Sequence, residues 1–233
     1  MSDQQIALVT GATRGIGRAI AQELGRTHHI LVGGRSVEAV DAVVGELGAS
    51  GVSAEGFLCD LTDAAATARA TDHVRRLDVL VHSAGIAMSG EVVAMGRCDW
   101  RRIFEMNVIA VADLTRLLLP RLREAHGQVV AINSGAGFHA GPGGGLYAAS
   151  KFALRALTDA LREEERGVVR VCSVHPGRVD TDMQVQLQSE KGREYVAGEH
   201  LRPGSVARAV RLAVDASDEA MIEEVVVRPV VKR

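Results

Sequence analysis

The stretch Thr10-Gly11-Ala12-Thr13-Arg14-Gly15-Ile16-Gly17 decides how this chain folds. An apolar run over residues 6–10 leads into it, and a helical apolar pattern over residues 16–24 leads out. Glycines between a strand and a helix let the backbone turn tightly and come close to a pyrophosphate. The helix that follows points its free N–H groups and positive dipole end at the phosphates. The spacing is G-x-x-x-G-x-G rather than the commoner G-x-G-x-x-G. A glycine cluster alone equally serves a tight turn. Its place between the first strand and the first helix is what points to nucleotide phosphate.

Working outward, strand-like and helical patterns alternate along the chain. Strands are expected at residues 6–10, 30–33, 54–59, 78–82, 128–134, 168–174 and 224–228. Helices are expected at 16–24, 37–47, 63–75, 99–124, 147–166 and 205–214. The strands are short, branched and often apolar on both faces, as in a parallel sheet covered by helices on each side. The alternation predicts an α/β doubly wound fold, a seven-stranded parallel sheet in a single domain over residues 1–233. The chain shows no repeat or linker. Gly141-Pro142-Gly143-Gly144-Gly145 reads as a flexible loop, not a domain boundary.

Composition narrows the class. A chain of 233 residues that is 47% hydrophobic has an ample aliphatic core for one domain. A net charge of -2 offers no basic surface for nucleic acid. No apolar run approaches the length of a membrane span. Met1-Ser2-Asp3-Gln4-Gln5 lacks the basic n-region of a signal peptide. Cys59, Cys98 and Cys172 are odd in number and far apart, which suggests reduced thiols in a cytoplasmic protein and gives no metal site.

The chemistry gathers further along. Tyr147 and Lys151 are spaced i and i+4, so a helix stacks them on one face about 5.4 Å apart. An ammonium beside a phenol favours the phenolate and lowers the tyrosine pKa from its usual value of about 10. That gives a proton donor or acceptor usable near neutral pH. Ser134, at the end of an apolar β-like run, can hold a carbonyl oxygen beside that phenol. Taken alone, Y-x-x-x-K is a common helix-surface pair. The second strand bears on the dinucleotide. An NAD site usually places an acid about 20 residues past the glycines, to hold a ribose hydroxyl. Here the segment is Val32-Gly33-Gly34-Arg35-Ser36, with no acid. Arg35 can pair with a 2′-phosphate through its planar fork, and Arg14 adds a second charge in the glycine loop. Both point to NADP(H); the alternative is that each is a solvated surface charge.

Together these residues resemble the short-chain dehydrogenase/reductase family, from Ile6 to about Met183. Thr10–Gly17 is its T-G-x-x-x-G-I-G. Asp60 and Leu61 match its adenine-side acid and neighbour. Ser83-Ala84-Gly85 stands for its N-A-G, and Asn107 for its active-site asparagine. Ser134, Tyr147 and Lys151 match S…Y-x-x-x-K, and Pro176-Gly177-Arg178-Val179-Asp180-Thr181 matches the P-G-x-x-x-T that lies against the nicotinamide. Ser83 departs from the usual asparagine, which braces the central sheet in the family.

The resemblance implies a Rossmann fold and a role for each residue. Tyr147 exchanges a proton with a carbonyl or hydroxyl oxygen that Ser134 also bonds. Lys151 binds the nicotinamide ribose and depresses the Tyr147 pKa, and Asn107 holds a water that links Lys151 to solvent. The implied cofactor contacts are Gly11, Thr13, Arg14, Gly15, Ile16, Gly17, Arg35, Asp60, Leu61, Ala84, Gly85, Asn107, Tyr147, Lys151, Pro176, Gly177, Val179 and Thr181. The implied activity is NADP(H)-dependent hydride transfer to or from a small carbonyl or secondary alcohol. The alternative is a non-catalytic NADP(H)-binding sensor or scaffold, which has no need of all four of Asn107, Ser134, Tyr147 and Lys151. Two segments are expected to wall the substrate: residues 135–146, with Phe138, His139 and Leu146, and the stretch after Thr181, with Met183, Val185, Leu187, Tyr195 and Val196. His139 reads equally as a solvated loop residue, and His82 as strand-end packing. The two long helices commonly pair between subunits in this family, so a homodimer or homotetramer is expected. Leu114, Leu117 and Leu118 form either that contact or a stripe packed on the sheet.

Overall fold

The computed structural model describes residues 4–190, 192 and 194–231. Met1–Asp3, the start of the segment read as lacking a basic n-region, lie outside them. Seven strands form one parallel sheet: β1 Ile6–Val9, β2 His29–Gly34, β3 Ala54–Leu58, β4 Val79–His82, β5 Gln128–Ile132, β6 Arg170–Pro176 and β7 Glu224–Val227. Their order across the sheet is β3-β2-β1-β4-β5-β6-β7. The order reverses between β1 and β4, which pair with Leu8 opposite Leu80. In open α/β sheets ligands bind beyond the carboxyl ends of the strands at such a switch point.

Period-2 alternation builds two cores. Ala7 and Val9 of β1 face one side and Leu8 the other, and all three are fully buried. On the first face α1 (Gly15–Leu24), α2 (Val37–Ala49) and α8 (Pro203–Val214) bring Ile20, Leu24, Val43 and Val210 onto the strands. On the second, α5 (Ala110–Glu124) brings Leu114, Leu118 and Leu122. Truncating a buried leucine of this kind to alanine costs about 2–5 kcal/mol. Leu114 and Leu118 therefore belong to the core on the sheet, while Leu117 is half-buried.

Two helices differ from the sequence expectation. The one expected at 63–75 is α3, Ala64–Thr71, with Asp63 as its cap: Oδ1 accepts from Ala66 N at 2.9 Å. It stops early. The Thr71 hydroxyl donates to the Ala68 carbonyl, and the chain turns to bury Val74 and Leu77. The helix expected at 99–124 begins earlier, as α4 (Arg97–Phe104), and reaches α5 through a π-turn at Glu105–Ile109. The remaining helices are α6 (Gly145–Glu164) and α7 (Asp182–Glu190), the latter unforeseen. No described helix is long and apolar enough to cross a membrane.

Candidate active site

The loop after β1 uses left-handed backbone at Gly11 (φ +62°) and Gly15 (φ +54°). A Cβ on Gly11 would stand 2.9 Å from Ala84 Cα, and one on Gly17 only 2.2 Å from the Gly11 carbonyl oxygen. No side chain fits at either place. Thr10 Oγ1 accepts from Ser83 N at 3.0 Å and Ala84 N at 3.1 Å, which ties the end of β1 to the end of β4. The sheet is thus braced here through the threonine hydroxyl and the backbone of Ser83. Thr10 was not singled out from the sequence, although its place beside the glycines was the signal.

The helix caps differ in a telling way. Ser36 caps α2, its Oγ accepting from Ala39 N, and Asp63 caps α3. At α1 the cap position is Arg14, with no side-chain bond and no acid in the first turn. The first N–H groups of α1 are left for an outside acceptor, with the positive dipole end behind them. They open on a cavity of about 410 Å³ lined by Gly11, Thr13, Arg14, Gly15, Ile16, Gly17, Arg35, Asp60, Leu61, Ala84 and Gly85. Arg102 and Met106 also line it and were not foreseen. Arg35 is exposed just past β2. Arg14 lies 3.7 Å from Asp182 in an exposed, loose pair. Thr62 donates to Asp60 Oδ1 from its backbone (3.0 Å) and its hydroxyl (2.8 Å), and these bonds, with Arg35 nearby, hold the Asp60 carboxyl below its usual range. The glycine cradle, the uncapped helix and the two arginines fit a dinucleotide bearing an extra phosphate.

A second cavity, about 300 Å³, lies at the ends of β5 and β6. Ser134, Tyr147, Pro176, Gly177, Val179 and Thr181 line it, and Ile16, Thr181 and Met183 border both cavities. Ser134 Oγ accepts from Ala136 N at 3.1 Å, so its own proton is left to donate. His175, fully buried on β6, bonds the Ser134 carbonyl through Nδ1 (3.2 Å) and packs against Phe138 with the rings tilted at 41° (centroids 4.3 Å apart). Its position behind Ser134 follows from strand alternation but carries no sequence motif.

The electrostatics correct one expectation. Burial raises the Tyr147 pKa above its ordinary value, and a hydrogen bond with Ser134 offsets only part of that. Lys151 does not depress it here. Its Nζ, 5.9 Å from the Tyr147 ring centroid, donates to the Ile132 carbonyl at 2.9 Å. The same burial that favours the neutral phenol disfavours the ammonium and pushes Lys151 down to about 8. Asn107 is buried in the π-turn, accepts from Ile86 N at 2.9 Å, and donates to Ile86 O (2.9 Å) and Ser150 Oγ (3.0 Å). It is joined to α6 through Ser150, next to Lys151.

Of the expected substrate walls, Met183 and Leu187 line the second cavity. Phe138 instead packs between His175 and Arg155, and Leu146 is buried. Tyr195 donates to Asp180 (2.5 Å) and stacks on His200, and Val185 lines a different cleft. His139 is exposed. His82 is buried, with Nε2 2.8 Å from Thr115 Oγ1, in keeping with its packing role.

The family profile for short chain dehydrogenases matches residues 5–192. The chain belongs to the short-chain dehydrogenase family. Members related to it include the glycine betaine reductase ATRR of Emericella nidulans, 31% identical over 97% of this chain; the match spans 19% of that longer protein. The 3-oxoacyl-[acyl-carrier-protein] reductase of Escherichia coli is 33% identical over 93% of this chain and 91% of its own length. Among solved structures, an alcohol dehydrogenase from the archaeon Thermococcus sibiricus, complexed with 5-hydroxy-NADP, superposes with a TM-score of 0.89. It is 27% identical, and the match covers 98% of each chain. The short-chain dehydrogenase described here is accordingly an oxidoreductase.

Proposed function

We propose that this short-chain dehydrogenase uses NADP(H) to interconvert a small carbonyl compound and its secondary alcohol, with Tyr147 as general acid and base. The observation that carries the reading is the meeting of two cavities at Ile16, Thr181 and Met183, one walled by the phosphate cradle and the other by Ser134 and Tyr147. Gly11, Thr13, Arg14, Gly15, Ile16 and Gly17 would hold the pyrophosphate, and Arg35 the 2′-phosphate. Asp60 and Leu61 would border the adenine, and Ala84, Gly85 and Lys151 the nicotinamide ribose. Pro176, Gly177, Val179 and Thr181 would lie against the nicotinamide. The bound dinucleotide supplies or accepts the hydride. The NADP named with the Thermococcus sibiricus enzyme supports this cofactor.

Burial keeps the Tyr147 phenol protonated at neutral pH, ready to give its proton to a carbonyl oxygen. The Ser134 hydroxyl, its oxygen already engaged by Ala136 N, donates to the same oxygen and holds it in place. Asn107 acts by fixing Ile86 and Ser150 around Lys151. The exposed Ile109 and Phe152, on the two helical stretches that pair between subunits in the family, support a homodimer or homotetramer. Three free cysteines support a cytoplasmic setting.

The test is Tyr147→Phe, assayed for NADPH oxidation across a panel of ketones, aldehydes and oxo acids. Turnover should fall about 10²- to 10⁴-fold, the usual contribution of a positioned acid, while NADPH binding persists. Undiminished turnover would overturn the role of Tyr147. Tight NADPH binding by the wild type with no turnover of any panel member would favour a sensor.

A further inference from the structure

The second cavity carries a charge pattern that the sequence does not announce. Arg178 and Arg228 both line it, and among the described residues no aspartate or glutamate does. Arg228 follows β7, the last strand, far in sequence from every motif. Its side chain passes over two glycines, the guanidinium over Gly135 and the stem over Gly177. A Cβ on Gly135 would stand 2.3 Å from Nη1 and 2.8 Å from Nη2, and one on Gly177 would stand 3.3 Å from Cδ. Any side chain at Gly135 would displace it. Nη1 of the exposed Arg228 donates to the Pro176 carbonyl at 3.2 Å, which orients the fork and leaves most of its five donors unused. Glu224, four residues before on the same face of the strand, is already engaged by Arg155 Nε at 3.1 Å. Among the described residues, neither Arg228 nor Arg178 forms an ion pair. Asn133, in the same wall, adds a buried Nδ2 with no acceptor among them.

An unneutralised guanidinium matches a planar carboxylate through two parallel bonds. Gly135 directly follows Ser134, so that carboxylate would lie only a few bonds from the carbonyl that Ser134 and Tyr147 address. The phosphate of a long acyl carrier would sit much farther from its reacting carbonyl. We propose that Arg228, assisted by Arg178, is a specificity-determining residue that binds a substrate carboxylate, and that the substrate is a short oxo acid or the matching hydroxy acid. This deepens the oxidoreductase reading above and rests on it.

The experiment compares 3-oxobutanoate and 2-oxopentanoate with their methyl esters as substrates, with NADPH, for the wild type, Arg228→Met and Arg228→Lys. The wild type should prefer the acids at least about tenfold in kcat/KM. Arg228→Met should reduce the acid-to-ester ratio about 10- to 100-fold, as expected for lost bonds between charged partners, mainly through KM. Arg228→Lys should recover part of the ratio, since it keeps the charge and loses the fork. Calorimetric binding of the two acids to the NADPH complex runs in parallel, and thermal melts verify that the variants fold. Esters reduced as well as acids, or equal losses on both, would overturn the carboxylate site and leave the reductase reading standing. Acid binding that Arg228→Met abolishes, with no turnover of any substrate, would support the carboxylate site and overturn the reductase reading. Absence of acid binding and of acid preference would overturn the proposal.

Discussion

Arg35 stands exposed at the carboxyl end of β2, where a carboxylate would otherwise select a ribose hydroxyl, and it lines the dinucleotide cavity. Charge-assisted bonds to a phosphate contribute about 1.5–3 kcal/mol each. Arg35→Ala should therefore cut the preference for NADPH over NADH about 10- to 100-fold, read as the ratio of kcat/KM for the two cofactors. An unchanged ratio would leave Arg35 as a solvated surface charge. At this scale the sequence was informative where a residue's place in a motif also gives its place in the fold, as for Arg35, Ser134 and Tyr147, which line the two cavities. It was uninformative about Arg228. A lone arginine near the end of a chain has no pattern, and only the pairing of β6 with β7 brings it over Gly177 and Gly135. It also misled on Lys151: helical spacing brings the ammonium toward the phenol, but its Nζ donates a hydrogen bond to the carbonyl of Ile132.

Among the elements, the junction of α4 and α5 shows what a helical pattern leaves out. Apolar periodicity runs on through residues 105–109, yet the chain makes a π-turn there and buries Asn107. Such turns recur at functional sites because one extra residue re-aims a side chain. Asn107 satisfies both the N–H and the C=O of Ile86, which sits just past the Ser83-Ala84-Gly85 turn. Asn107→Ala would leave both backbone groups without those partners, at about 1–3 kcal/mol for each buried group left unsatisfied. We expect a loss of about 3 kcal/mol in urea unfolding, together with reduced turnover. Asn107→Asp retains the acceptor for Ile86 N and should lose less stability. A melting temperature unchanged in Asn107→Ala would show that the turn holds itself.

For the molecule as a whole, the parallel sheet buries polar groups that couple its stability to pH. His82 on β4 is buried, and burial lowers its pKa from the ordinary 6.5 to about 4. Thr115 Oγ1 donates to the Val111 carbonyl (2.7 Å), so His82 Nε2 donates to Thr115, and a second ring proton would be a charge in the core. Between these two pKa values the unfolded chain binds a proton that the folded protein does not. The stabilisation is complete above pH 6.5 and is lost as the pH falls toward 4. The loss attributable to His82 is about 3 kcal/mol. His28 and His175, also lowered by burial, add to the acid loss, so urea unfolding at pH 7 and pH 4 should show a drop in the wild type that is smaller by about that amount in His82→Gln. Equal drops in both proteins would place the acid sensitivity elsewhere.

The sequence by itself determined the sheet, its seven strands and the location of the phosphate cradle. Branched apolar runs and glycine punctuation are local signals, and the right-handed crossover between parallel strands leaves few ways to arrange them. It also determined Ser134 and Tyr147, which neighbouring elements bring to one cavity. Tertiary structure alone decided the rest. It set the proton affinities of Tyr147, Lys151 and His82, because desolvation depends on what surrounds a group and not on its neighbours in the chain. It also decided that a guanidinium 94 positions beyond Ser134 would stand against the neighbouring Gly135, because β7 is the edge strand paired with β6 and carries Arg228 to the cavity wall.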